Sequence, residues 1–453
     1  MKIMRTLILA LSFLILNSVF AQNTKSGNYK TEINFGGGFD LTTFLKVQQK
    51  DNKIILTSPR NSDVRLVGFF KAKVGRLLGK SPKKGILVKI NCTKRKDSLL
   101  GYVLMSKANK LLLKGKLKNG LLTGTIYKGK KIVGNIQGEK SEQKKINYSH
   151  LSPIIIKLTE QNLFSKEFLK SDKWTKYKSE LKNKLNKIHD DIELYIAFKM
   201  LSSKLPFSHY YLIMQEELNE DKNKKTAQIK EKTVVYEKKN ENTGYLKIKN
   251  FSSSQKELSI ILPKILKAKP ANLIIDLRDN PGGGIEAAFE FGKYFMKNTT
   301  EIGFFVTNKL QYSEFDYELF KTLPKATPQS TEEFIAYLKQ GKGARLVFDK
   351  PNFLTFSGHL YVLTNGNTGS TCEPIVYMLK KSKTATIVGE KTAGAMLSGT
   401  FFDVSGKYKL FLPIADFYTY DGVRLEEVGV TPDIITKSDD ALSKTLALIK
   451  ENK

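Results

Sequence analysis

The sequence predicts an α/β core, preceded by a helical segment and, before that, an all-β N-terminal region. Three observations predict it. From residue 244 onward, short apolar runs alternate with stretches of helical spacing, as in βαβ units. Between 149 and 204, apolar residues recur at three-to-four spacing: Leu163, Phe164, Phe168, Leu169, then Trp174, Tyr177, Leu181, Leu185 and Ile188. Between 22 and 148, short alternating runs are separated by Gly, Asn and Lys turns at hairpin intervals. A chain of 453 residues exceeds one typical core and implies two or three domains.

Met1 to Ala21 has a basic front (Lys2, Arg5), an apolar centre (Leu7 to Leu16) and a small-residue end. These are the features of a secretory signal peptide cleaved before Gln22. No cysteine follows it, so a lipid anchor is not indicated. The apolar centre is also shorter than the ~20 residues a membrane span needs. The expectation is an exported, soluble protein, periplasmic or secreted.

Residues 22–148 read as strands at Lys53 to Thr57, Val64 to Phe69, Gly85 to Ile90, Leu99 to Met105, Leu111 to Leu117, Leu121 to Ile126 and Lys131 to Gly134. Their rhythm suggests a meandering sheet or small barrel, with Gly36 to Gly38 as a loop. Residues 149–208 form the helical segment, and the core occupies 209–453. The lone Trp174 sits on the apolar face of its helix and reads as core. Residues 311–355 look like an insertion in the core, rich in aromatics (Tyr312, Phe315, Tyr317, Phe320, Phe334, Tyr337) and punctuated by Pro324, Pro328 and Pro351. It reads equally as a substrate-binding lid and as a packed helical excursion.

Charge is unevenly spread. The formal net charge is +31, and residues 22–150 carry 28 basic against 7 acidic residues, a balance of +21. The excess is lysine scattered singly along strands, without the aromatic interleaving of a nucleic-acid reading surface. It reads first as a solvated face, and second as a weak attraction to anionic cell-surface material. No specific nucleic-acid binding is expected. Cys92 and Cys372 fall in different regions and are expected to be free. No Cys/His cluster has metal-ligand spacing, so no metal or cofactor is expected.

Two stretches carry the chemistry. The apolar run His359 to Thr364 reads as a buried strand, which breaks at Asn365-Gly366-Asn367; helical spacing follows over Glu373 to Lys381, and a second strand over Thr384 to Val388. Ser370 therefore stands at a strand-to-helix corner, where helix N–H groups favour an anion. That suits a nucleophile whose attack builds an oxyanion, and it also suits an ordinary N-cap serine. The strand Ala271 to Asp276 runs into LRDNPGGG (277–284) ahead of a helix expected over Ile285 to Met296. Consecutive glycines let backbone N–H groups approach a ligand closely. No Gly-Lys-Ser/Thr follows, which excludes a nucleotide-binding P-loop.

Together these stretches resemble the C-terminal processing (tail-specific) serine proteases. The resemblance rests on LIIDLRDNPGGG (273–284), GSTCE (369–373), IVGEKTAG (387–394) and LEEVGVTPD (425–433), four motifs in the family's order. It implies a ClpP/crotonase-like protease core, a peptide or protein substrate and Ser370 as nucleophile. It also implies an oxyanion hole from Gly282 or Gly283 together with the amide of Thr371. One departure matters: Ala395 occupies the place of the lysine in members with a Ser/Lys dyad, and Lys391 lies four residues too early. The base is then sought among four histidines. His150, His189 and His359 read as structural or solvated, whereas His209 follows Ser208 in an irregular segment. This resembles the tricorn-like branch of the family, which implies His209 as general base with Ser208 and Glu426 orienting it. Glu427, beside it, is an alternative to Glu426. Between Tyr210 and Thr243 there is no room for the PDZ domain, of about 80–100 residues, that many members insert. Cys372 reads as packing. The alternative reading is a catalytically inactive binding protein on the same fold, for a small apolar ligand or a peptide; an acyl-CoA enzyme of crotonase type is third.

Overall fold

The computed structural model describes residues 25–34, 40–60, 86–104, 111–214, 232–326 and 330–451. The expected signal peptide, the Gly36 to Gly38 loop and the strand expected at Val64 to Phe69 lie outside them.

Eight antiparallel strands close into an N-terminal barrel: β1 (Lys25–Asn34), β2 (Asp40–Lys50), β3 (Lys53–Pro59), β4 (Ile86–Arg95), β5 (Ser98–Leu104), β6 (Leu111–Lys118), β7 (Leu121–Lys128) and β8 (Lys131–Lys140). β1 pairs with both β2 and β8, which removes the open edges. Alternation sends Ile54, Leu56, Ile90, Leu113, Leu122 and Ile136 inward, all fully buried or nearly so. The lysines between them, such as Lys114 and Lys116, point to solvent.

Helices α1 (Leu151–Asn162), α2 (Asp172–Leu185) and α3 (Asp191–Ser202) follow. Their stripe, including a fully buried Trp174 stacked on Tyr177, joins one apolar cluster that runs from the barrel to Leu410 and Leu412 of the core. Ser171 caps α2 by accepting from Trp174 N, and Asp190 caps α3 by accepting from Glu193 N.

The core holds two sheets. The first comprises β10 (Val234–Asn240), β11 (Thr243–Ile248), β12 (Asn272–Asp276), β16 (His359–Thr364), β17 (Ala385–Gly389) and β20 (Ile434–Ile435) in that order. All but β10 run parallel, so their C-terminal ends share one rim. The second sheet runs β14 (Lys325–Ala326), β15 (Gly343–Phe348), β13 (Thr300–Thr307), β19 (Tyr408–Thr419), β18 (Ser398–Ser405), with β9 (Tyr211–Met214) beside the start of β19. Helices α4 (Gln255–Ala268), α5 (Ile285–Gly292) and α8 (Cys372–Lys381) pack in the main core, and α9 (Ala441–Glu451) covers the other face of the parallel sheet. α5 stops at Gly292 rather than continuing to Met296. Beyond it the amides of Tyr294 and Phe295 reach back only three residues, to Phe291 and Gly292. The aromatic stretch 311–355 supplies α6 (Tyr317–Lys321), β14, α7 (Thr331–Gln340) and β15, and β15 pairs along β13 inside the second sheet.

A buried acidic pair joins barrel, helices and core. Asp191 accepts from Thr42 N (2.8 Å), Tyr148 Oη (2.7 Å), Lys407 Nζ (2.6 Å) and Tyr408 Oη. Asp190 accepts from the hydroxyls of Thr43 and Ser58. Burial pushes the Asp190 carboxyl from 3.8 up to about 6. Its proton is thus held more tightly in the folded chain, so its contribution to stability is greatest below pH 4 and falls as pH rises toward 6. The loss amounts to about 3 kcal/mol. Chemical unfolding across this range should show that slope in the wild type and not in Asp190→Asn. Asp191→Ala, which strands four donors, should destabilise the chain by about 3 kcal/mol or more.

Candidate active site

The site lies at the rim where β12 and β16 end. After β16, Asn365 N bonds Thr368 Oγ1, whose hydroxyl donates to Leu277 O, and Gly369 N bonds Asn280 O. This turn delivers Ser370 with φ +54°, a left-handed conformation uncommon for serine, directly before the N-cap Thr371 of α8. The cap is therefore Thr371, and Ser370 stands one residue outside the helix.

Glu373, fully buried in the first turn of α8, fixes that corner. It accepts from Ser370 N (3.0 Å), Thr392 Oγ1 (2.6 Å), Gly394 N (2.8 Å) and Ala395 N (2.8 Å). Burial raises its pKa, and these four donors oppose the shift. Asn280 fixes the glycine loop: it donates to Ile248 O and accepts from Gly282 N at 2.9 Å. Neither residue was given a role by sequence reasoning, although both stand inside the quoted motifs. Their location there was the available signal.

The glycines are packed against the loop that carries Ser370. A Cβ on Gly282 (φ +94°) would lie 2.7 Å from Ser370 Cβ and 2.9 Å from Thr371 N, and one on Gly283 (φ +139°) would lie 2.2 Å from Ser252 N. The amide of Gly282 donates to Asn280 Oδ1. Gly283 and Thr371 both line the cavity beside Ser370.

On the opposite wall, His209 (φ +60°) precedes β9. Its Nδ1 lies 2.5 Å from Ser208 Oγ, and that hydroxyl donates to Glu426 Oε2 at 3.1 Å. A hydroxyl carries one proton; once it is given to Glu426, Ser208 accepts from Nδ1–H, which leaves Nε2 unprotonated. Glu426, 1% exposed, also accepts from Ser208 N (2.5 Å) and Met396 N (2.7 Å). Glu427 is exposed, so of the two neighbours Glu426 points inward. Burial lowers His209 to about 4, keeping the imidazole neutral at pH 7. Among the described residues no direct hydrogen bond joins His209 to Ser370; they meet across one cavity, an arrangement that bound substrate commonly tightens.

That cavity measures about 200 Å³ and is mostly apolar, walled by Phe289, Phe305, Phe334, Phe348 and Met396. Phe334 and Phe348 come from the aromatic stretch 311–355. Lys391 is exposed, as are His150 and His359, and none of these lines the cavity; neither does His189. Cys372 is fully buried beneath Ser370, its thiol pushed well up by burial; Cys92 is likewise free and buried.

The model of peptidase family S41 matches residues 242–436. The carboxyl-terminal-processing protease of Synechocystis sp. is 25% identical over 198 residues, covering 44% of this chain and 38% of that protein. The carboxy-terminal processing protease CtpA of Bacillus subtilis is 26% identical over 209 residues, 46% of this chain and 38% of that protein. The chain thus spans well under half the length of these relatives. The photosystem II D1 C-terminal processing protease aligns in structure with a TM-score of 0.43 and 15% identity, over 65% of this chain and 94% of that one. With the family's motifs gathered around Ser370, residues 242–436 match peptidase family S41, and over that stretch the chain is similar to carboxyl-terminal-processing proteases.

Proposed function

We propose that this chain is an exported serine peptidase that hydrolyses peptide bonds through an acyl-enzyme on Ser370, on a crotonase-like core. The observation that carries the reading is the Glu426–Ser208–His209 relay facing Ser370 across an apolar cavity. Nε2 of His209 takes the hydroxyl proton as Ser370 Oγ attacks the scissile carbonyl. The tetrahedral oxyanion is met by the amides of Gly283 and Thr371, each donor of this kind contributing about 3 kcal/mol. His209 returns the proton to the leaving amine, and water, deprotonated in turn by His209, resolves the acyl-enzyme. Ser208 and Glu426 are positioning residues: they hold the tautomer and the ring. Ala395, which bonds Glu373 through its amide, has no side-chain group to serve as a base.

The cavity supplies selectivity. Its aromatic walls fit one large apolar side chain, and a charge placed there would lose its hydration without a partner. The N-terminal region, at +21 over residues 22–150, supports a secondary attraction to anionic cell-surface material.

A fluorophosphonate probe should label the mature protein, and neither Ser370→Ala nor His209→Ala should label; labelling of Ser370→Ala would displace the nucleophile. Ser208→Ala and Glu426→Gln should lower kcat about a hundredfold with KM little changed, whereas Lys391→Ala should leave both unaltered. Because the base is active unprotonated and sits near 4, kcat/KM should rise through pH 4 and be level by about pH 6. Peptides with Leu, Met or Phe before the scissile bond should outrun those with Asp or Lys there roughly a hundredfold.

A further inference from the structure

Three aromatic rings stand in line on one face of the second sheet. Phe401 of β18 pairs in register with Phe411 of β19, and Phe411 with Tyr211 of β9. Tyr211 stacks on Phe411 with centroids 4.8 Å apart and planes at 11°; Phe401 meets Phe411 edge-on, also at 4.8 Å. Tyr211 is 41% exposed, and the two phenylalanines are half-buried.

Side chains on these strands alternate between the two faces. The other face is already apolar: Leu212, Met214, Leu410 and Leu412 are buried in the cluster shared with the helices. A sheet covered on one side ordinarily turns polar residues to the other. Here the solvent face carries a continuous aromatic ladder instead. The ladder ends one step along the strands, where Lys409 pairs with Asp403 at 2.8 Å.

In the opposite direction it meets the active site. His209 lies two residues before Tyr211, its ring centroid 6.0 Å from that of Phe411. Phe411 and Gly399 themselves line the cavity that holds Ser370. The exposed ladder is thus continuous with the wall of the acyl pocket, and a chain seated in that pocket must leave past one of its sides.

We propose that Tyr211, Phe411 and Phe401 form a secondary subsite that takes an aromatic side chain of the polypeptide substrate, at a position other than the residue in the apolar cavity. The inference rests on the peptidase reading above. Rings suit rings: stacked and edge-on contacts add to the area buried, and the ladder presents both a ring face and ring edges. The substrate favoured by the two sites together is a segment with two large apolar residues, one of them aromatic. Such segments are buried in folded proteins, so the natural substrate is an unfolded or extended chain.

The test moves a single phenylalanine through the positions on either side of a constant leucine in otherwise Gly/Ser fluorogenic peptides. One position should raise kcat/KM about tenfold over the parent peptide. Tyr211→Ser and Phe401→Ser should each cut that gain to about twofold or less. No gain at any position, or a gain that survives both substitutions, overturns the subsite. The same peptides, fluorescein-labelled, are titrated against Ser370→Ala by anisotropy. The phenylalanine peptide should bind about tenfold more tightly than the parent, and Ser370→Ala/Tyr211→Ser should lose that difference. Equal affinities, or no binding, overturn the proposal. Failure of the peptidase reading has a separate signature: absent fluorophosphonate labelling of wild type while the anisotropy difference persists.

Discussion

One buried carboxylate ties the site together. Glu373 is withdrawn from water at the start of α8, and a desolvated carboxylate is costly unless its lone pairs are filled. Four donors fill them: Ser370 N from the same corner, and Thr392 Oγ1, Gly394 N and Ala395 N from a segment distant in sequence. The consequences spread outward. Ser370 is held in a left-handed conformation it would not choose alone. Thr392 passes the restraint to Val430 N, and Gly394 O accepts from Glu427 N. That last contact sets the backbone beside Glu426, which orients Ser208 and, through it, His209. Ser370 follows a strand of the first sheet and His209 precedes a strand of the second, and this chain of bonds holds the two in one register.

Four of the left-handed non-glycine residues stand around the candidate site. Ser370, His209, Asp279 and Glu427 all have positive φ, and Gly282 and Gly283 adopt conformations closed to other residues. Each such non-glycine residue costs of order 1 kcal/mol. The surrounding bonds over-determine the conformation: Asn280 grips the glycine loop, and Asp279 accepts from the side chains of Asn365 and Asn367. The candidate residues stand on loops at the ends of the parallel strands and α8, the place where an α/β sheet usually carries its functional groups.

The N-terminal barrel is coupled to this core rather than appended to it. Asp190 and Asp191 begin α3, and they bind the backbone and hydroxyls of β2 and β3 on one side and Lys407 and Tyr408 of the core on the other. Tyr408 opens β19, the strand that also carries Phe411 against His209. The strand leading to the active site is therefore anchored at the junction with the barrel.

Local signals were legible in the sequence wherever the physics is local. The apolar runs of β12, β16 and β17, the turn before Ser370 and the helical stripe around Trp174 are properties of short windows, and they stand where periodicity put them. β1 and β2 escaped notice because KSGNYKTEIN and DLTTFLKVQQK are too polar to announce strands; closing a barrel pairs them on both edges and overrides weak propensity. The motif sequence by itself singled out Ser370 and the glycine loop, and placed Ala395 where a dyad lysine would stand. Only the tertiary structure decided that Glu426 rather than Glu427 faces inward, that Asn280 takes the amide of Gly282 and leaves Gly283, and that His209 meets Ser370 from 161 positions away along the chain. Adjacent residues are distinguished by which one the fold buries, and hydrogen bonds between distant segments have no period to read.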